Sequence, residues 1–364
     1  MQNQKAQNKI SVIQIIDRLN TGGTERVLIT LANLVHKHEH KTAVVTTVSE
    51  GVLASLLNEN IPLINLKRKW KWNPVTMYKL VRVIKKFDVI HVHSSYNLRY
   101  VFLAMKLFGL KKTIFFHEHF GDINIDQQVK WHARFIFPKT KFIAVSQQIA
   151  DWAQHVVKVP AKNIFVLPNI IIRQNTSNNA TSENIINIVM VSNIRPSKNI
   201  AFALQFFEAI TKKKEHQFHL TIVGNIADTT YNAEIKKIIA EKNLADKIAF
   251  VHDCIAVQTI LPRFSFAIHT AVSESGPLVL IEYLAQQIPF LTYNTGQVVQ
   301  QIKNELPQFI VHTFDVNDWV HAFNILTQQD QPLLKQKMEM VFEKNFSEEN
   351  YYNQCINIYK AGLQ

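Results

Sequence analysis

The stretch "FAIHTAVSESGPLVLIEYLAQQIPFLTY", residues 266–293, decides how this chain is read. It opens on a short strand-like run, FAIHT, and closes on another, PFLTY. Between them lies an apolar segment of helical length. A strand, a helix and a strand in so short a span make the repeating unit of a parallel sheet. Pro277 suits the first helical position, where its missing N–H is not needed, so the helix is expected to start near Ser275–Gly276. The free amides of Leu278 and Val279 would then suit a phosphate. Two carboxylates frame this start. Glu274 stands outside it, and Glu282 lies inside, among Leu278, Val279, Leu280, Ile281, Tyr283 and Leu284. A helix apolar on all sides is buried, and a buried carboxylate must be hydrogen-bonded or paired. An internal salt bridge or a cap would satisfy Glu282. The anion-binding helix start beside it favours a ligand.

The same alternation runs outward in both directions. Candidate strands are SVIQII, TAVVTT, DVIHVH, TIFFH and KFIAVS, then NIVMVS, HLTIVG, KIAFV, FAIHT and PFLTY. Helix-like spacing fills most gaps, as at 25–36 and 201–213, so the class is α/β with parallel sheets covered on both faces. The pattern pauses at "RQNTSNNATSEN", residues 173–184, a polar run without periodicity that reads as a linker between two Rossmann-sized halves. Only nine glycines occur, so their positions carry weight. Gly22, Gly23, Gly121, Gly224, Gly276 and Gly296 all follow predicted strands. In open parallel sheets that carboxyl edge is where ligands bind. Two such edges facing one another would line an inter-domain cleft.

Composition narrows the class further. With 364 residues, 47% hydrophobic and 19% charged, the chain has the make-up of a core-forming protein of two domains. No apolar run reaches the roughly 18–20 residues of a membrane span. The start, "MQNQKAQNKISVIQII", lacks the marks of a secretory signal. Cys254 and Cys355 suggest no disulfide framework. A cytoplasmic protein is expected. The net charge of +12 and a pI near 9.5 point to an anionic partner. The basic charge is densest over residues 66–86, where Lys67, Arg68, Lys69 and Lys71 interleave with Trp70 and Trp72. This mixture suits a lipid headgroup region, a single-stranded nucleic acid, or merely a solvated loop and helix face.

Two further groups could carry chemistry. In "VSNIRPSKN" Arg195 and Lys198 project from a strand end where they could neutralise a diphosphate, with Ser197 expected to cap the next helix. In the first half His91, His93, His117 and His119 sit in HVH and HEH at strand ends, with Glu118 among them. They could hold a metal, line a cleft, or supply an active-site histidine. No second carboxylate beyond Glu118, and no cysteine, accompanies them at ligand spacing, and a D-x-D metal–nucleotide motif is absent, so no metal is expected.

With these residues placed, the chain resembles the retaining glycosyltransferases of GT-B fold, family 4, over almost its whole length. "LNTGGTERVLITLAN" resembles the family's glycine loop and first helix, while "DVIHVHSSYN" and "KTIFFHEHFGD" resemble its strand ends. "FIAVSQQIADW" and "VLPNII" match the end of the first domain. The E-x7-E of Glu274 and Glu282 is the most specific element, and "FSEENYYNQCINIY" resembles the last helix. The resemblance implies an acceptor-binding domain over 1–172, a linker over 173–184 and a nucleotide-sugar-binding domain over 185–345. A final helix, 346–364, would cross back to the first domain. It implies His117 beside the anomeric carbon and Glu274 on the donor sugar as the catalytic residues, with Glu282 on the ribose. Arg195 and Lys198 would hold the diphosphate, and Gly22 and Gly23 would let backbone approach it. Gly224, Ser275, Gly276, Leu278 and Val279 complete the donor-binding set.

No protein nucleophile is evident, and a front-face transfer is implied, in which the leaving phosphate helps to deprotonate the acceptor. The expected donor is a UDP- or GDP-linked sugar, acting as substrate and not as cofactor. The acceptor would be lipid-linked or an oligosaccharide of the capsule or lipopolysaccharide type, met at the inner membrane face through Lys67 to Trp72. No nucleic-acid partner is expected. The chain departs from the family at Asn193, where an arginine is common, and at E-S-G-P, where E-G-F-G is usual. HEH offers two histidines, of which His117 aligns with the family's own. The alternatives are a nucleotide-sugar 2-epimerase of the same fold, and a non-catalytic anion- or nucleic-acid-binding protein.

Overall fold

The computed structural model describes residues 9–176, 185–212 and 217–364; residues 177–184 of the expected linker lie outside them. The chain divides into two compact units, residues 1–171 with 348–364, and residues 172–347.

In the first unit β1 (Ser11–Ile16), β2 (Lys41–Thr46), β3 (Leu63–Asn65), β4 (Val89–His93), β5 (Ile114–Glu118), β6 (Lys141–Ala144) and β7 (Ile164–Val166) form one parallel sheet. The order is β3-β2-β1-β4-β5-β6-β7. Strands β1 and β4 are buried almost throughout, as strands covered on both faces must be. Successive side chains leave a strand on opposite faces. Ile13 and Phe116 therefore enter one core, with Leu98 and Val101, while their neighbours Val12 and Phe115 enter the other. That second core is closed by the helix Glu348–Leu363, which contributes Tyr351, Cys355, Ile356 and Tyr359. Gly362 lets this helix come close, because a Cβ there would lie 2.4 Å from Phe115 Cε1.

The second unit repeats the plan with β8 (Ile185–Val191), β9 (Gln217–Val223), β10 (Ile248–Val251), β11 (Phe266–His269), β12 (Phe290–Tyr293) and β13 (Ile310–Val311). The order, β10-β9-β8-β11-β12-β13, is again parallel and doubly wound. It reverses direction between β8 and β11, and in such sheets the carboxyl ends beside the reversal make the binding edge. Strands β3, β7 and β13 were not expected from sequence. Each is an edge or near-edge strand of two or three residues, too short for a two-residue period to show. The start of the expected linker is anchored within the second unit. Arg173 makes a double hydrogen bond to Glu339, at 2.5 and 2.7 Å, and the Gln174 amide bonds Gln258.

Candidate active site

In the second unit the loops after β8, β9 and β11 are stitched together by backbone bonds. Past β8, the Ser192 amide donates to Val223 O at 2.8 Å, and the Ile194 amide to Asn225 O at 2.9 Å. Gly224 allows this closeness, since a Cβ there would lie 2.2 Å from Ser192 O. Its glycine serves loop packing. Asn193, where the family resemblance expects an arginine, accepts from the Asn225 amide at 3.0 Å and so helps hold the same loops.

Residues Pro196–Lys198 form a 3-10 turn and Asn199 is left-handed, so the next helix begins at Ile200. Ser197 does not cap it, and its hydroxyl is buried without a partner. This corrects the expectation of a helix opening at Lys198. The turn is fixed instead from the β11 side. Thr270 Oγ1 donates to Lys198 O at 2.9 Å, and the Val272 amide donates to Ser197 O at 3.0 Å.

These bonds bring Lys198 and Glu274 into direct contact as a nearly buried ion pair. His269 Nε2 lies 3.5 Å from the same Glu274 oxygen. Burial by itself pushes the Glu274 carboxyl up, but Lys198 and His269 outweigh it and hold its pKa at about 2. The two residues expected on separate parts of the donor thus meet each other. His269 was not expected in the site; as the polar last residue of the buried strand FAIH it was the available signal. Arg195 is half-buried at the start of the 3-10 turn.

The helix of the opening stretch runs Leu278–Ala285, and Pro277 stands before it as the N-cap, with ψ at 109°. Pro277 is therefore not the first helical residue. The start moves two residues on from Gly276, because residue 277 keeps an extended ψ that a first helical residue cannot have. Ser275, Gly276 and Leu278 are buried and Val279 half-buried. Glu282 is buried as expected, and beside it Tyr283 Oη accepts from the Val191 amide at 2.9 Å, pinning the helix to the end of β8. Gly296, with φ at +85°, packs against Pro277, and the Gln297 amide donates to Ser275 O at 2.8 Å.

In the first unit, Gly22 is the extended N-cap of the helix Gly23–Lys37. A Cβ on Gly22 would meet Glu25 Oε2 at 2.3 Å, so the carboxyl of Glu25 occupies the space over the glycine. Burial raises the Glu25 pKa to about 7, its own amide partly offsets this, and Asp17 adds to the rise.

The four histidines do gather. His117, expected beside the donor, lies within β5, is closed to solvent, and is packed against the rings of His91, His93 and His119. His119 follows the strand end and keeps partial exposure. Its Nε2 is 3.1 Å from His93 Nδ1, and burial lowers its pKa to about 3. Burial also keeps His91, His93 and His117 well below the ordinary value. The Gln14 and Tyr359 side chains, which sequence reasoning did not single out, reach this cluster from β1 and from the last helix.

The basic segment divides. Lys67, Lys69 and Lys71 are exposed, Trp70 is 76% exposed and Trp72 47%. Arg68 is a correction, being only 5% exposed. Its guanidinium lies 4.2 Å from the Tyr100 ring and 4.9 Å from Tyr96, and it donates to Thr47 Oγ1 at 3.3 Å. A planar cation stacked between aromatic rings is structural packing, not surface charge. The helix Pro74–Ile84, capped by Asn73, continues the exposed face with Val75 and Tyr78.

The family described as "Glycosyl transferases group 1" matches residues 172–345, and "Glycosyltransferase Family 4" matches residues 21–174. Among solved structures, HepE of Anabaena, crystallised with UDP and glucose, superimposes with a TM-score of 0.80 at 14% identity, over 96% of this chain and 98% of that one. A glycosyltransferase of Rickettsia africae gives 0.73 at 20% identity, over 98% and 99%. TarM of S. aureus gives 0.77 at 13%, over 96% and 98%. At these identities the likeness carries the fold, two parallel-sheet Rossmann-like units of the GT-B type. No curated protein sequence matches.

Proposed function

Since the chain belongs to the group 1 and family 4 glycosyltransferases, we propose that it transfers a sugar, with retention, from a nucleoside-diphosphate sugar to a lipid-linked or oligosaccharide acceptor. The observation that carries this reading is the Lys198–Glu274–His269 group at the carboxyl edge of the second sheet. Departure of a nucleoside diphosphate concentrates negative charge on its phosphates, and a positioned cation lowers that barrier. Lys198 supplies the cation. Glu274 orients it before the donor arrives and then turns to the hydroxyls of the donor sugar. Arg195 adds a second positive charge, Glu282 meets the ribose, and the amides of Ser275, Gly276, Leu278 and Val279 border the phosphates. In the first unit the histidine role passes from the enclosed His117 to His119, with Gly22 and Gly23 where the loop after β1 turns into the helix Gly23–Lys37. No metal enters this scheme. The HepE structures with UDP and UDP-glucose favour a UDP-linked hexose.

A thermal-shift series with UDP-, GDP-, ADP- and CMP-sugars tests the donor, because a ligand bound only to the native state raises its melting temperature. UDP-hexose is expected to stabilise the protein, and Lys198→Ala is expected to remove both that shift and transfer. Transfer at the parent rate in Lys198→Ala would sink the assignment.

The exposed Lys67, Lys69 and Lys71 with Trp70 and Trp72 support a peripheral seat on an anionic membrane face, where a lipid-linked acceptor resides. Capsule or lipopolysaccharide synthesis is the setting that reading favours.

A further inference from the structure

The first unit holds a cluster that sugar transfer leaves largely unused. His91 and His93 are two residues apart on β4, so both rings stand on one face of the sheet. The register sets His93 beside His117 of β5, adding a third ring. Ligand nitrogens of His91, His93 and His117 lie within 4.8 Å of one another, and all three residues are closed to solvent. His91 Nε2 has no hydrogen-bond partner, and the backbone of Leu167 can serve at most one of the two ring nitrogens of His117, which make no other hydrogen bond. Buried polar atoms are nearly always satisfied, so at least two unsatisfied nitrogens in one pocket call for an occupant.

One hydrogen bond behind the rings fixes a tautomer, and a second permits the one a ligand role needs. Gln14 Oε1 can only accept, so His93 Nε2, 2.8 Å away, carries the proton and Nδ1 is the lone pair. Tyr359 Oη lies 2.7 Å from His91 Nδ1; with the proton on Nδ1, Nε2 is left as a ligand. Anchoring of the outer ring nitrogen is the usual support of a metal-binding histidine. We propose that His91, His93 and His117 form a three-imidazole site for a divalent cation of the zinc type. Three neutral nitrogens without an oxygen ligand suit zinc and exclude the hard cations magnesium and calcium. Zinc–nitrogen bonds of about 2.0–2.1 Å require the rings to draw in from their present spacing. The way in is past His119, whose ring is partly exposed and centred 4.1 Å from that of His117. Its Nε2 now sits 3.1 Å from His93 Nδ1, where the cation would stand, and the fourth position opens on that side.

Cobalt(II) titration of the full chain, read by visible absorption, is the test, with zinc as competitor and far-UV dichroism as the check on folding. One equivalent is expected to give the intense bands of a tetrahedral site, and zinc to abolish them. His117→Gln should lose the bands, and Tyr359→Phe, which removes the hydroxyl that backs His91 and also meets Gln14 Nε2, should weaken cobalt affinity about 10–100-fold. The proposal is overturned if the parent protein gives no tetrahedral spectrum. It is equally overturned if folded His117→Gln keeps the bands, since the ligands would then lie elsewhere, as among His36, His38 and His40.

Discussion

At the scale of single residues, the glycine loop of the first unit carries an unexpected acid. Glu25 folds over Gly22 and is half-buried, and the loss of solvent around its carboxyl favours the protonated form in the folded state. Its pKa rises from the ordinary 4.5 to about 7. A raised folded-state pKa means that the native protein binds the proton more tightly than the unfolded chain does. Stability from this group is therefore complete below pH 4.5 and falls as the pH climbs to 7. Glu25→Gln keeps the shape and removes the titration. Its melting temperature relative to the parent should rise between pH 5 and pH 8, and an equal difference at both values would refute this account. Glu274 shows the opposite sign. Its carboxylate is held at about pH 2 by Lys198 and His269 against the cost of burial, so it stays charged throughout that range. The histidines mark where residue-level reading ended. His117 and His119 share a face and a motif, and only the end of β5 at Glu118 separates the enclosed one from the partly exposed one. Nothing within HEH itself says where the strand stops.

At the scale of elements, the long runs were legible and the short ones were not. SVIQII, VIHVH and IINIVMV are rich in Val and Ile because both faces of a central parallel strand are covered, and that reason is visible in the letters. Strand β13 is two residues, and no pattern resides in Ile310–Val311. The start of the helix Leu278–Ala285 was misplaced because proline fits both the cap and the first turn, and only its ψ distinguishes them. Arg68 was misread for a related reason. Its basic neighbours look identical in sequence, whereas its aromatic partners Tyr96 and Tyr100 lie far along the chain. The docking of the last helix makes a prediction at this scale. Gly362→Ala improves helix propensity by about 1 kcal/mol at most, and less this close to the helix end. Its new methyl would lie 2.4 Å from the fully buried Phe115 ring, so overpacking of about 1–3 kcal/mol wins. Hydrogen exchange at the Ile114–Glu118 amides should speed up in this variant, and slower exchange would show that propensity dominates.

At the scale of the whole molecule, the net charge of +12 acquires an address. Within the basic segment the outward groups are Lys67, Lys69 and Lys71, with Trp70 and Trp72 beside them, while Arg68 is withdrawn into the fold. Each outward cation near an anionic surface contributes roughly 1 kcal/mol, screened over about 10 Å at ordinary salt. Replacing the three lysines with glutamine should thus cut binding to vesicles containing anionic lipid by at least tenfold while leaving neutral vesicles unaffected. Arg68→Gln should instead lower thermal stability. Vesicle binding unchanged by the lysine replacements would remove the membrane from this account and leave the charge to the donor's phosphates.

The return of residues 348–364 to the first unit also sets a timetable. A ribosome delivers the first 171 residues early, but Tyr351, Cys355 and Tyr359, which close one of their two cores, emerge only after the whole second unit. The second unit has all its strands in hand before that moment. The unit that is made first is therefore the unit that closes last, and until its last helix arrives it carries a partly uncovered apolar sheet face open to chaperones, proteases or its own kind. A chain broken off at Ser347 would stay in that condition, with the second unit whole and the first still unsealed.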